Sequence, residues 1–193
     1  MRIAETRRTT AETDVQVRLC LEGTGQAQVE TGIAFLDHKL TALARHAAID
    51  LELRCTGDLH VDDHHTVEDC ALTLGAALDR ALGERRGIAR FGHAYAPLDE
   101  ALARAVIDLS GRPFAAIDLG LQREWLGKLS CENVPHFFGS FATAARATVH
   151  VQLLAGVNDH HRAEAAFKAF ALALRAAIRM DGGDRIPSTK EAL

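Results

Sequence analysis

Residues 63–68 read "DHHTVE" and residues 159–164 read "DHHRAE", so one chain writes Asp-His-His-x-x-Glu twice, about a hundred positions apart. If each histidine pair opens a helix, His64 and Glu68 stand at i and i+4, on one face and close enough to chelate one ion. His160 and Glu164 repeat that clamp. His65 and His161 are each turned about 100° from their neighbours and aim at a second centre. The fold must therefore present two like helix starts in like surroundings.

What precedes each pair repeats too. His38 stands 26 positions before His64, and His136 stands 24 before His160. Leu36, Leu40, Leu43 and Ala47 recur at helical spacing, and "IDLELRC" then alternates with Ile49, Leu51, Leu53 and Cys55 on one face. In the second copy a helix follows Pro135 through Phe138, Phe141 and Ala145, and "TVHVQLL" is the strand. The pairs lead into apolar stripes, Val67, Ala71, Leu74, Leu78 and Ala81 in one copy, Ala163, Ala166, Phe167, Phe170, Leu174 and Ala177 in the other. "VQVRLCL" and the Ala101 to Leu109 alternation add two more strands. This order predicts an α+β fold from an internal duplication, residues 1–90 and 91–193 forming two like halves of one compact unit.

Crossing the copies gives two equivalent sites. One takes His64, Glu68, His136 and His161, and the other takes His38, His65, His160 and Glu164. Three imidazoles and a carboxylate suit Mn, Fe, Co, Ni or Zn, and affinity order does not choose among them. His46, His60, His93 and His150 lack such partners and read as structural or surface residues; His46, one turn or two beyond His38, is the exception with a candidate role. A second group of signals points to a small anion. Arg90 in "GIARFG", Arg112 in "SGRP", and Ser188, Thr189 and Lys190 in "IPSTK" supply guanidinium forks, hydroxyls and an ammonium.

Composition narrows the setting. The 193 residues are 48% hydrophobic and 25% charged, as in a soluble globular protein. A net charge of −4 gives no reason to expect nucleic acid. No apolar run approaches the roughly 18 residues of a membrane span, and the polar N-terminus is no signal peptide. Cys20, Cys55, Cys70 and Cys131 show no CxxC spacing and read as reduced thiols, which points to the cytoplasm.

"FLDHKL", "GDLHVDDHHTVED", "YAPLDEALARAVIDLSGRP", "VPHFFGSFA", "NDHHRAEAAFKAFALALRAA" and "IPSTK" together resemble the imidazoleglycerol-phosphate dehydratases, in family order over nearly the whole chain. The resemblance implies helices packed between two four-stranded sheets, one from each half, and two Mn(2+) per subunit held by the duplicated motifs. It implies conversion of imidazole glycerol phosphate to imidazole acetol phosphate and water, in a homo-oligomer of 24 subunits with sites between protomers. Carried over by motif, Glu12 in "RRTTAET" sits against the substrate, while Arg90, Arg112, Ser188 and Lys190 hold its phosphate. Glu191 follows Lys190 where the family commonly has glycine.

The C–H beside the imidazole ring is not acidic, so a carboxylate alone does not remove it at neutral pH. Metal ions stabilise the ring as imidazolate, which expels the side-chain hydroxyl to give a diazafulvene-like intermediate with an acidified proton. Glu12 is the first candidate to carry that proton, ahead of a metal-held water and His46. Two rival classes stay open on the sequence. A dinuclear metallohydrolase also uses such ligands but needs a bridging carboxylate, and a metal-storage protein has no use for Glu12 or the Arg/Ser/Lys set.

Overall fold

The computed structural model describes residues 1–190 of the chain, so Glu191 lies outside the described residues. The first half runs β1 (Ile3–Thr9), β2 (Thr13–Cys20), β3 (Ala27–Glu30), α1 (Ala34–Ala47), β4 (Asp50–Gly57) and α2 (His64–Leu82). The second runs β5 (Phe91–Leu98), β6 (Ala101–Asp108), β7 (Phe114–Asp118), the short pair β8 (Trp125–Leu126) and β9 (Leu129–Ser130), then α3 (Asn133–Ala144), β10 (Thr148–Ala155) and α4 (Asp159–Ile178). The four-stranded sheets have the orders β1-β2-β4-β3 and β5-β6-β10-β7. In each, an antiparallel hairpin opens the sheet and the last-placed strand pairs parallel to its neighbour. The duplicated α+β architecture expected from the sequence is the one observed.

Alternation decides the central strands. Val15, Val17 and Leu19 of β2 face inward beside Leu51 and Leu53 of β4, while Ala103, Ala105 and Ile107 of β6 do the same beside Val149 and Val151 of β10. The helices lie between the two sheets, and their apolar stripes fuse both halves into one core. Phe137, Phe138 and Phe141 of α3 interlock with Phe167 and Phe170 of α4, ring centroids 4.8 to 5.4 Å apart in the contacts between the helices. Helix α3 begins at Asn133, two residues ahead of the Pro135 start read from the sequence. Proline fits there because the first-turn N–H groups have no intrahelical acceptor. Among the described residues, no helix is long and apolar enough to cross a membrane.

The helix contacts are exchanged between halves: α2 packs on α3 and α1 on α4. A glycine makes the first approach possible. A Cβ on Gly75 of α2 would lie 2.6 Å from the Phe141 carbonyl oxygen and 2.9 Å from the Ala144 Cβ. Gly75→Val should therefore pry α2 from α3 and cost about 1–3 kcal/mol as an overpacked contact. Urea unfolding measures this, and a midpoint at or above that of the parent would show that the approach is not limiting.

Candidate metal centre and anion-binding tail

Helix α2 starts at His64 because the Asp62 carboxylate accepts the His64 N–H at 2.8 Å. Helix α4 is capped alike by Asn158, whose side chain accepts the His160 N–H at 3.0 Å. The aspartates inside the motifs do a different task. Buried Asp63 accepts the Ser130 N–H at 2.7 Å, and Asp159 accepts the N–H groups of Gln122 and Arg123 at 2.7 and 2.6 Å. Asp63 therefore pins strand β9, and Asp159 the 122–123 loop, against its own helix start. Burial pushes the Asp159 carboxyl up, but these N–H groups and Arg162 bring it below its ordinary range.

The exchanged helix packing then assembles two clamps. In the first, His136 of α3 reaches the α2 motif, its Nε2 3.2 Å from Glu68 Oε1 and its ring stacked on His64 with centroids 4.6 Å apart. Donor atoms of His64, Glu68 and His136 all lie within 4.8 Å of one another, which among the described residues no other trio of metal-ligand type achieves. Ligands about 2.0–2.2 Å from one ion stand roughly 3–4 Å apart, so this trio fits a single cation with little movement. Asn133 Oδ1 lies 3.1 Å from His64 Nδ1 and so orients the ring of this clamp histidine. His64 and Asn133 also border a cavity of about 790 Å³ that reaches Arg123, Trp125 and Glu132, a size suited to a small metabolite.

In the second clamp, Glu164 Oε2 lies 3.5 Å from both His38 Nε2 and His160 Nε2. Lys39 and Lys168 also hold this carboxylate, at 2.6 and 2.7 Å. Burial pushes the Glu164 carboxyl up, but the two ammonium groups outweigh it and bring it to about 2. Burial and the Lys39 charge together hold His160 below its usual range.

One chain thus unites three of the four residues expected at each site. His65 and His161 stand outside the clamps, their rings nearly perpendicular to His64 and His160. His65 Nδ1 is 3.0 Å from Asp58 Oδ2, and its Nε2 is 3.6 Å from Glu12 Oε1. His161 Nδ1 is 2.7 Å from Glu100 Oε2, with Asp99 3.9 Å from Nε2. Glu12 closes the β1–β2 hairpin as Glu100 closes β5–β6, so the duplication sets a carboxylate beside each outer histidine. The two differ in use. Glu100 is bound by His161 and by the N–H groups of Asn158 and Val157, which lower its carboxyl to about 2, whereas the carboxylate of exposed Glu12 has, among the described residues, only the longer contact to His65. Asp58, Glu100, Asn133 and Lys39 escaped the sequence reading because each is a single polar residue without a repeating pattern.

The anion residues gather only in part. Arg90, in a left-handed conformation with φ of 68°, forks onto Asp108 at 2.7 and 3.1 Å and donates to the Pro187 carbonyl at 2.8 Å. It thereby ties down the tail in which the Ser188 hydroxyl accepts the Lys190 N–H at 3.1 Å. Arg112 is exposed at the turn beyond Leu109, whose N–H bonds to the Arg90 carbonyl. Among the described residues, no hydrogen bond or ion pair joins this cluster to either clamp. His46, on the last turn of α1, is held below its ordinary range by burial and by the charge of Lys168.

The family model described as imidazoleglycerol-phosphate dehydratase matches residues 31–174, both clamps included. The chain belongs to this family. The family's dehydratase from Phytophthora nicotianae is 58% identical over all of this chain, which spans 43% of that protein's length. The one from Candida glabrata is 54% identical over 99% of this chain and 100% of its own length. A crystal structure of imidazoleglycerol-phosphate dehydratase from Staphylococcus aureus superposes with a TM-score of 0.83 at 34% identity, covering 92% of this chain and 99% of that one. In this member of the family, Asp159→Ala should free the 122–123 loop and cost about 3 kcal/mol, as expected for bonds to a buried charge. Chemical denaturation reads the loss, and a change under about 0.5 kcal/mol would show that the loop is held by other contacts.

Proposed function

We propose that this chain is a manganese-dependent hydro-lyase that converts imidazole glycerol phosphate to imidazole acetol phosphate and water in histidine biosynthesis. The observation that carries the reading is the pair of crossed clamps, His64/Glu68/His136 and His38/His160/Glu164, in a chain of the dehydratase family. The donor sets fit two divalent ions, and bound manganese would supply Lewis-acid stabilisation of the substrate ring as imidazolate. The chain's own residues do the rest. Glu12 takes the proton beside the ring once the hydroxyl has left, because it is exposed and free of the bonds that tie up Glu100. His46, kept neutral near pH 7 by its depressed affinity for protons, is the second candidate. Arg90, Arg112, Ser188 and Lys190 hold the phosphate and so fix the reacting carbon.

His65 and His161 supply the fourth ligands from neighbouring copies, in a closed homo-oligomer of 24 subunits. Three facts support this: both rings turn away from their own clamps, the anion cluster stands apart from them, and Phe91, Tyr95 and Phe114 are exposed on the second sheet. The four cysteines are free thiols, which suits a cytoplasmic setting. A boundary between duplicated halves after residue 90 belongs to the same reading, since α2 ends at Leu82 and β5 begins at Phe91.

The direct test is an assay with imidazole glycerol phosphate before and after chelation, with elemental analysis expected to give about two ions per chain. Active protein holding no divalent metal would sink the reading. Glu12→Gln should lower turnover by about a hundredfold or more while substrate still binds, the scale of a lost general base. Arg112→Ala and Lys190→Ala should weaken binding and slow turnover together, since remote binding energy orients the reacting centre. Wild-type turnover in Glu12→Gln would remove it as proton carrier. Stripping metal at mildly acidic pH, where protons compete with the ion for imidazole ligands, should shrink the particle seen by light scattering to trimers. Manganese at neutral pH should restore size and activity together. A particle indifferent to metal would place each site within one chain.

A further inference from the structure

The duplicated backbone lets the two clamps be compared position by position, and they are chemically unlike. Three residues before the α1 histidine stands Phe35, and three before the α3 histidine stands Asn133. Asn133 hydrogen-bonds His64, whereas Phe35 packs edge-on against His160 with centroids 5.2 Å apart. The residue after His38 is Lys39, and the residue after His136 is Phe137. One turn beyond Glu164 comes Lys168, and one turn beyond Glu68 comes Leu72. The lysines therefore sit in the second clamp.

They sit on its carboxylate. The Lys39 side chain is 0% exposed, and its ammonium lies 4.8 Å from the centre of the Phe35 ring and 2.6 Å from Glu164 Oε2. That oxygen is the one 3.5 Å from both His38 and His160, while Lys168 takes the other oxygen at 2.7 Å. A divalent ion entering here must share Glu164 with two ammonium groups or push one aside, and it is repelled by both. Glu68 has no such rival: among the described residues its ion-pair partner is His136 alone, and the three donors already stand within 4.8 Å.

We infer that the clamps are unequal, His64/Glu68/His136 binding its ion first and tightly, and His38/His160/Glu164 binding second and weakly because Lys39 already occupies Glu164. The inference rests on the metal reading above. Manganese alone is titrated into the metal-free full-length protein and followed by calorimetry and by the electron-spin resonance of free manganese. Two steps of one ion per chain are expected, their dissociation constants apart by about tenfold or more. His38→Ala should delete the weaker step and His136→Ala the tighter one. Lys39→Met, and independently Lys168→Met should the first variant not fold, should tighten the weaker step and leave the other in place. Two steps of equal affinity, a weaker step that belongs to His136, or a weaker step unmoved by both lysine changes overturns the inequality while leaving two metal sites standing. Failure to bind manganese at all overturns the metal reading with it.

Discussion

Helix α2 of the first half lies against α3 of the second, and α4 of the second against α1 of the first. Each half contributes a motif helix that carries a His/Glu pair and a shorter helix that carries one clamp histidine, His38 on α1 and His136 on α3. Had each half packed its own two helices together, His38 would have faced His64, and His136 would have faced His160. The exchange instead joins His136 to Glu68 and His38 to Glu164, at 3.2 and 3.5 Å. A ligand set is complete to three members only because the halves are interlocked. The aromatic contacts between α3 and α4 and the close approach at Gly75 are thus part of the site's construction as much as of the core. Separation of the halves would disperse both clamps at once.

The four strands legible in the sequence, β2, β4, β6 and β10, are the central strands of the two four-stranded sheets; β1, β3, β5 and β7, the edges of those sheets, and the short pair β8 and β9 were not. The reason is physical. A central strand buries one full face and so writes a clean alternation, as Val15, Val17 and Leu19 do. An edge strand mixes exposed and half-buried positions. β1 reads "IAETRRT" with Ala4 and Thr6 as its buried residues, and β5 carries a glycine and a proline within "FGHAYAPL". Its glycine is needed because any side chain at residue 92 would strike the backbone of α4 at Ala173 and Ala177. Edge strands also carry charge and proline to discourage further pairing, which blunts the very periodicity used to find them.

The site divides the same way. His64, Glu68, His160 and Glu164 were legible because the i, i+4 rule is local, and the crossing with His38 and His136 because the pattern repeats. What orients them was hidden. Asn133 on His64, Asp58 on His65 and Glu100 on His161 act across 69, 7 and 61 positions of chain. None of these three belongs to a spacing that a single sequence advertises. The motif aspartates invite the opposite error: they stand where capping side chains are expected, yet Asp62 and Asn158 accept the first-turn histidine N–H groups while Asp63 fastens β9 and Asp159 the 122–123 loop.

Depth explains why one backbone came to hold two different clamps. The Glu68 side chain keeps 37% of its surface in solvent and the Glu164 side chain 14%. An exposed carboxylate is solvated whether or not an ion is bound, so the first clamp can stand with no permanent cation. A carboxylate as buried as Glu164 pays a desolvation penalty of several kcal/mol unless a positive charge accompanies it. Lys39, itself fully enclosed, and Lys168 provide that charge from within the chain. On the proposed metal reading, the same pairing that lets the deeper carboxylate be buried would compete with a cation for Glu164. In the shallower clamp that conflict does not arise, and the space taken by Lys39 is filled instead by Phe137, which packs into the aromatic core with Phe167. Core packing and carboxylate pairing thus draw on equivalent positions of the two halves, Phe137 serving the first and Lys39 the second.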